Sequence, residues 1–458
     1  MTAAETMQGA ELVGVGPPPE RPKPGFSSSD RVNFFEAIPR VAYEESVWRQ
    51  PSPFMRSFLI NDPAAIRRVL IDEVENYPKM EMERRAFRAL FGEGLLSADG
   101  DTWRRHRRVM APSFDPRSVA SYAPDMAAAS VEFADRWAAL GAGAEVDVSD
   151  EMTLLTLRII CRTMFSADGA DITELTGSTL QRGSDEAFKF NLLDIVPGIA
   201  QLRMRRRERL MASLFAPLDG SIHRLIAARR ADPGKTDLLG RLVAALDAET
   251  GNGLSAEEVR NEVLTIFVAG HETTASAMTF VWYVLSQQPH WEARLHEELA
   301  QVLGGRAPTE ADLPRLSLTR RIVEETMRLY PPAPGLSARV ALKGDELAGV
   351  RIPAKSLVGV SSWVLHRHRR LWDSPDRFDP DRFLPERSEG RPRFAYLPFG
   401  GGPRVCIGQQ LAMTEAILIL ATLAQRFRPR LRPGFRVAIQ QRVTIRPRDG
   451  LPMTLGPR

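Results

Sequence analysis

The sequence predicts a mainly α fold with small β-sheets, an α+β class built as one large domain. Three observations lead there. Segments that look helical dominate from Pro63 to Ala300, short β-like runs are confined to Leu336–Val364 and the tail Arg436–Leu455, and no internal repeat or change of composition divides the chain. Taken alone, a length of 458 residues would allow two or three domains.

Along the chain, Pro17, Pro18, Pro19, Pro22 and Pro24 predict a flexible, extended leader over residues 1–25, with the fold beginning near Phe26. Helices are expected over Ala64–Ile71, Asp101–Met110, Ser121–Ala139 and Arg205–Arg229, then over a long stretch from Leu254. Ser255 and Glu258 match a capping box that starts this stretch, and it ends near Gln288, before Pro289. Its middle, Val263–Leu285, is apolar on nearly every face, but His271, Glu272, Thr273 and Thr274 interrupt it. The pattern predicts a buried central helix with a polar notch. Strands are expected at Val350–Pro353 and Leu357–Ser361, a helix over Gln409–Phe427, and a hairpin turning at Asp449-Gly450.

Apolar residues make up 43% of the chain and charged residues 26%, which suits a globular protein and excludes wholesale disorder. The net charge of +4 is scattered along the chain, which argues against a nucleic-acid partner. Two cysteines are too few for a disulfide framework, and Cys161 lies in an apolar run that reads as core. No signal peptide or membrane anchor is visible, so a cytoplasmic location and a monomer are expected.

Four constellations could carry chemistry. In Phe399-Gly400-Gly401-Gly402-Pro403-Arg404-Val405-Cys406-Ile407-Gly408, a glycine-rich turn delivers one cysteine to the start of a helix. The helix N-terminus and Arg404 would favour a thiolate, hence a metal ligand or a nucleophile; the alternative is a cysteine packed as a small hydrophobe. A single cysteine excludes zinc ribbons and iron–sulfur clusters. Glu325 and Arg328 share a helix face, as an exposed ion pair would also do. Gly270 in Ala269-Gly270-His271-Glu272-Thr273-Thr274 could widen a helix groove beside hydroxyl and carboxyl groups; alternatively, these polar side chains are satisfied by backbone carbonyls. Trp103 and Arg107, four apart, could grip one carboxylate, unless the arginine-rich run is simply a solvated face.

Together these segments resemble the cytochrome P-450 family. The first matches F-x-x-G-x-R-x-C-x-G, the others E-x-x-R, A-G-x-[DE]-T-T and W-x-x-x-R, in the family's order over residues 26–458. The resemblance implies a haem b buried between the long central helix and the cysteine-bearing loop. Cys406 would be the axial iron ligand, with Phe399, Gly400 and Gly408 of its loop, and Ala269 and Gly270 of the central helix, also binding the haem. Trp103, Arg107, Arg404 and, on a looser motif, Arg339 would hold the haem propionates. Ala269 and Gly270 would border the dioxygen site, Thr273 would hydrogen-bond the iron-bound oxygen, and Glu272 would relay protons. Glu325, Arg328 and Arg382 would form a structural triad behind the haem.

The activity so implied is insertion of one oxygen atom from dioxygen into a hydrophobic small molecule, by hydroxylation or epoxidation. Electrons would come from NAD(P)H through a separate ferredoxin and ferredoxin reductase. Met80–Leu96, Leu192–Leu202, Phe267, Ala269, Gly335–Ala338 and the region of Val443 would line the pocket and favour a fatty acid or terpenoid-like substrate. Two other readings stay open: a same-fold peroxygenase or isomerase, and a haem protein that only senses a ligand. Arg104, Arg105 and Arg108 are either a basic docking surface for an acidic electron donor or a solvated face.

Overall fold

The computed structural model of the chain describes residues 12–16, 18, 20, 38–51, 55–166, 199–232, 234–441 and 443–458. The helices are α1 (Pro63–Arg67), α2 (Glu81–Phe91), α3 (Gly100–Met110), α4 (Pro116–Ala139), α5 (Val148–Phe165), α6 (Ile199–Ala231), α7 (Leu238–Ala244), α8 (Ala256–Gln287), α9 (Pro289–Leu303), α10 (Ser317–Leu329), α11 (Ser362–Leu365), α12 (Pro385–Ser388) and α13 (Gln409–Leu423). The strands are β1 (Val47–Gln50), β2 (Ser57–Ile60), β3 (Glu145–Asp147), β4 (Arg339–Val340), β5 (Asp345–Leu347), β6 (Val350–Ile352), β7 (Leu357–Gly359), β8 (Phe427–Leu431), β9 (Ile439–Gln441), β10 (Ile445–Pro447) and β11 (Pro452–Pro457). The chain is thus mainly α with small sheets, as its sequence pattern predicts.

The long central helix is α8. Ser255 accepts the Glu258 amide at 3.2 Å and the Glu258 carboxylate accepts the Ser255 amide at 2.8 Å, so the predicted capping box forms in both directions. Its buried residues run from Val259 to Leu285, which explains why no apolar stripe is visible in the sequence: α5, α10, α13 and α6 pack around it. Against α5, Thr156 donates to the His271 carbonyl at 3.1 Å. Cys161 is buried in this core, as expected.

The sheets lie at the margin of the helical body. One has the order β1-β2-β7-β4, antiparallel except for the β2–β7 pair. A second has the order β3-β11-β8, and β5–β6 and β9–β10 are two-stranded.

Three expectations change. The last hairpin is not at Asp449-Gly450: β9 pairs with β10 one turn earlier, and β11 leaves to pair with β3 and β8. Asp147 accepts the Leu451 amide at 3.0 Å and so pulls the chain from the Asp-Gly turn into another sheet. The helix expected to reach Phe427 ends at Leu423, because Phe427 opens β8 and sets its ring edge-on to Trp137 with centroids 5.4 Å apart. Finally, part of the proline-rich leader is packed. Leu12 and Val15 are buried, Val13 donates its amide to Tyr283 at 2.9 Å, and the Tyr330 hydroxyl donates to the Val13 carbonyl at 2.7 Å. Two apolar residues beside two buried phenols give this stretch partners that its proline content conceals. Among the described residues no helix is long and apolar enough to cross a membrane.

Candidate active site

Residues 399–406 form a tight loop leading into α13. The Cys406 amide donates to the Phe399 carbonyl at 2.9 Å, and the Val405 amide donates to the Gly402 carbonyl at 3.1 Å. Gly402 has φ of +71°, and a Cβ there would come within 2.6 Å of the Leu70 carbonyl oxygen. Only glycine allows this loop to lie flat on the turn after α1. Burial pushes the Cys406 thiol pKa up, while a hydrogen bond from the Gly408 amide and the positive charge of Arg107 oppose that rise. Arg107, rather than the Arg404 expected from the sequence, is therefore the cation acting on the sulfur. Cys406 lies deep among protein atoms, yet part of its surface remains accessible.

Besides Arg107, which acts on the sulfur, Lys79, Arg339 and Arg404 form a second group of neighbouring cations. Arg107 is half-buried, and no hydrogen bond or ion pair engages its guanidinium among the described residues; burial lowers its pKa. Arg339 is brought in by β4. It is buried, its Nε has no hydrogen-bond partner, and burial lowers its pKa as well. Arg404 pairs with Asp99, donates to the Ala98 carbonyl at 3.2 Å and lies 4.3 Å over the Trp103 ring. Burial pulls its pKa down to about 10 despite Asp99. Asp99 also caps α3 through the Gly100 amide at 3.0 Å, which places Trp103 and Arg404 together.

The sequence reading missed Lys79. The chain at Lys79 bridges to Arg339, and the Met80 amide donates to the Ala338 carbonyl at 2.9 Å, so backbone pairing sets Lys79 beside Arg339 and Arg404. Burial and these two neighbouring cations lower its pKa to about 7, while its ammonium donates to the Leu96 carbonyl at 2.8 Å. A buried arginine with an orphaned Nε and a second without any partner are costly unless anionic groups neutralise them. This donor set fits a cofactor that brings carboxylates and a metal for the thiol, and it fits haem in particular.

On α8, Thr273 donates its hydroxyl to the Ala269 carbonyl at 2.7 Å, and Thr274 donates to Gly270 at 3.0 Å. Of the predicted notch, Glu272 and Thr273 are half-buried, as are Val268, Ala269 and Gly270 before them, whereas His271 and Thr274 are buried. Glu272 accepts a hydrogen bond of 2.6 Å from Thr444 in the β9–β10 turn. Phe267, expected to line a pocket, is instead enclosed by Phe165 and His271, with ring centroids 6.3 and 5.8 Å away. Of the expected Leu192–Leu202 lining, residues 192–198 lie outside the described residues.

Glu325, Arg328 and Arg382 are all buried in one cluster. Arg328 donates to both Glu325 oxygens at 2.7 and 2.8 Å, and Arg382 Nε donates at 3.2 Å. Their remaining donors reach carbonyls of His366, Asp373, Ser374, Pro375 and Arg377, so the cluster ties α10 to the coil before the cysteine loop.

The other α3 arginines are engaged by acidic partners. Arg104 meets Asp101 at 2.8 Å, Arg105 meets Glu258 at 2.6 Å, and Arg108 meets Asp247 and Glu249 at 3.0 and 2.8 Å. They do not stand as an unpaired basic surface, one of the two readings that the sequence left open. Among them, the buried His106 bonds Glu262 at 2.6 Å and Glu258 at 3.3 Å.

The family model described as Cytochrome P450 matches residues 40–447. The chain is 41% identical over 372 residues to Cyclooctatin synthase of Streptomyces melanosporofaciens, covering 80% of this chain and 78% of the relative. It is 35% identical to Cyclooctat-9-en-7-ol 5-monooxygenase of the same organism, covering 91% and 92%. It is 33% identical to Pentalenene oxygenase of Streptomyces avermitilis, covering 87% and 91%. Among solved structures, the haem domain of cytochrome P450DA superposes with a TM-score of 0.80 at 28% identity, covering 90% of each chain.

Proposed function

Because this chain belongs to the cytochrome P450 family, we propose that it inserts one atom of dioxygen into a hydrophobic terpenoid, with NAD(P)H electrons delivered by a separate ferredoxin and its reductase. The chain is an oxidoreductase of the monooxygenase kind, and haem b and dioxygen come with the family. The observation that supports the site assignment is the accessible Cys406, whose sulfur feels the charge of the half-buried Arg107, together with the buried Arg339, whose Nε has no hydrogen-bond partner.

When bound, the haem activates dioxygen and transfers one oxygen atom to a C–H bond or a double bond. Cys406 would hold the iron of a bound haem as a thiolate, although burial by itself favours the thiol. Lys79, Arg107, Arg339 and Arg404, with Trp103, would hold the propionates. Phe399, Gly400 and Gly408 shape the loop that presents the sulfur, and Ala269 and Gly270 leave room beside Thr273. The Thr273 hydroxyl directs its own proton to the Ala269 carbonyl, so its oxygen is free to accept a hydrogen bond in the notch. Glu272 carries protons into the notch, a positioned transfer of the kind that contributes roughly 10² to 10⁴ in rate. Glu325, Arg328 and Arg382 keep the scaffold in place.

Between a fatty acid and a terpenoid, relatives named for oxygenation of pentalenene and of cyclooctat-9-en-7-ol favour the terpenoid. The paired Glu272 and Thr273 favour dioxygen chemistry over the use of peroxide, which needs less proton relay.

The test is the carbon monoxide difference spectrum of the reduced protein, followed by titration with cyclic terpene hydrocarbons and alcohols against fatty acids. A strongly red-shifted Soret band, lost in Cys406→Ser, supports thiolate ligation; a band at the histidine-ligated position overturns it. A tighter spin-state response to fatty acids overturns the terpenoid assignment. Haem binding without any substrate-dependent NAD(P)H consumption would favour a sensor.

A further inference from the structure

Glu272 and Thr273 are adjacent on α8, yet their side chains are committed in different directions. Successive residues on a helix are about 100° apart, and here the divergence is fixed by partners. Thr273 bonds back along its own helix to Ala269, whereas Glu272 reaches across to the Thr444 hydroxyl at 2.6 Å.

Thr444 is itself held in place. It is buried in the β9–β10 turn, and the next residue, Ile445, is pinned twice. Its carbonyl accepts from Ser276, one helical turn beyond Glu272, at 2.6 Å, and its amide donates to the Pro332 carbonyl at 3.0 Å. The hydroxyl therefore stands at a fixed point relative to α8, and the carboxylate that meets it is fixed in turn.

We infer that Thr444 is a positioning residue for proton delivery: it holds the Glu272 carboxylate on the β9–β10 side of the notch, in one orientation, as an acceptor. This rests on the reading of Glu272 as the proton carrier. In each delivery Glu272 takes one proton from water and passes it on toward the notch, returning to the carboxylate. The Thr444 proton is donated as a hydrogen bond and is not consumed. Without that bond the carboxylate samples other rotamers, and fewer of its proton transfers are aimed at the reacting oxygen.

The experiment compares T444V, T444S, E272Q and the T444V/E272Q double variant as haem-loaded enzymes supplied with ferredoxin and reductase. T444V should lower product formed per NAD(P)H by about tenfold and raise the solvent deuterium isotope effect, within the range of a positioned proton transfer. T444S, which keeps the hydroxyl, should restore both. Since Thr444 acts through Glu272, adding T444V to E272Q should change the yield less than twofold, a non-additivity that a merely structural role would not give. A second reading needs no turnover: the urea midpoints of the same four proteins should show non-additive losses.

Parental coupling in T444V, or losses that multiply in the double variant, would overturn the inference. Parental coupling in E272Q would instead overturn the proton-carrier reading on which it rests, and the urea cycle would still report whether the Thr444–Glu272 bond exists.

Discussion

His106 and Glu262 meet at 2.6 Å in the interior, joining α3 to α8 where neither side chain reaches water. The other Glu262 oxygen accepts the Leu95 amide at 3.0 Å. One carboxylate thus holds three segments together: the helix bearing Trp103 and Arg107, the loop before it, and the helix bearing Glu272 and Thr273.

Removing the histidine should loosen all three. Burial acts to lower the His106 pKa, but Glu262 and Glu258 outweigh it and raise the net value above 6.5. A raised folded pKa contributes stability that is complete below 6.5 and is lost as pH rises through the folded value. His106→Ala should therefore cost roughly 3 kcal/mol at about pH 6 and less at about pH 9. Urea unfolding across that range checks it; a deficit that grows with pH would contradict the charged pair.

Arg339 should show opposite signs with and without haem. Its buried guanidinium lacks a partner for Nε, so Arg339→Met should raise the unfolding midpoint of the haem-free protein. The same change should speed haem loss to apomyoglobin about tenfold or more, the equivalent of one charge-assisted hydrogen bond. Destabilisation of both forms would mean that Arg339 serves packing alone.

Lys79 makes haem uptake a proton-linked event. Its pKa is lowered to about 7 by burial and by Arg404 and Arg339, and a carboxylate beside it would raise it again. At about pH 8, haem binding should take up a proton, seen as a dependence of the calorimetric heat on buffer ionisation enthalpy. In Lys79→Met the dependence should shrink. The depressed folded pKa also means that haem-free stability gains as pH rises from about 7 toward 10.5 through this group.

Glu325→Ala would leave Arg328 and Arg382 buried with no carboxylate between them. A loss of roughly 3–5 kcal/mol is expected, with little haem incorporated. A variant that loads fully and unfolds at the parental midpoint would rule out a structural role for the cluster.

Much of the site is legible in the sequence because local geometry dictates it. The glycine turn before Cys406, the Glu325–Arg328 spacing and the Ser255–Glu258 cap each lie within one turn or loop, where a few residues decide the conformation. What is not legible depends on distant pairing. Lys79 gains its place from a backbone bridge to Arg339, and Thr444 gains its place from a hairpin turn that the Asp449-Gly450 signal conceals. Arg404 reads as a partner of the sulfur, but Asp99 and Trp103 engage it across some three hundred residues. Likewise α5 escapes notice as a helix, because it is buried around most of its circumference and so carries a weak amphipathic signal. The arginine run of α3 gives no sign that Asp247 and Glu258 neutralise it.

The pairing of Lys79 with Arg339, and of Trp103 with Arg404, bears on how the protein is made. A nascent chain can form α3, α4, α5 and most of α8 as it leaves the ribosome, but the candidate site joins residues that lie some three hundred apart. The chain must be synthesised past Cys406 before these distant partners can come together. A message cut short before that codon would yield a helical body whose charged interior never closes, and such fragments should be strong substrates for chaperones and proteases.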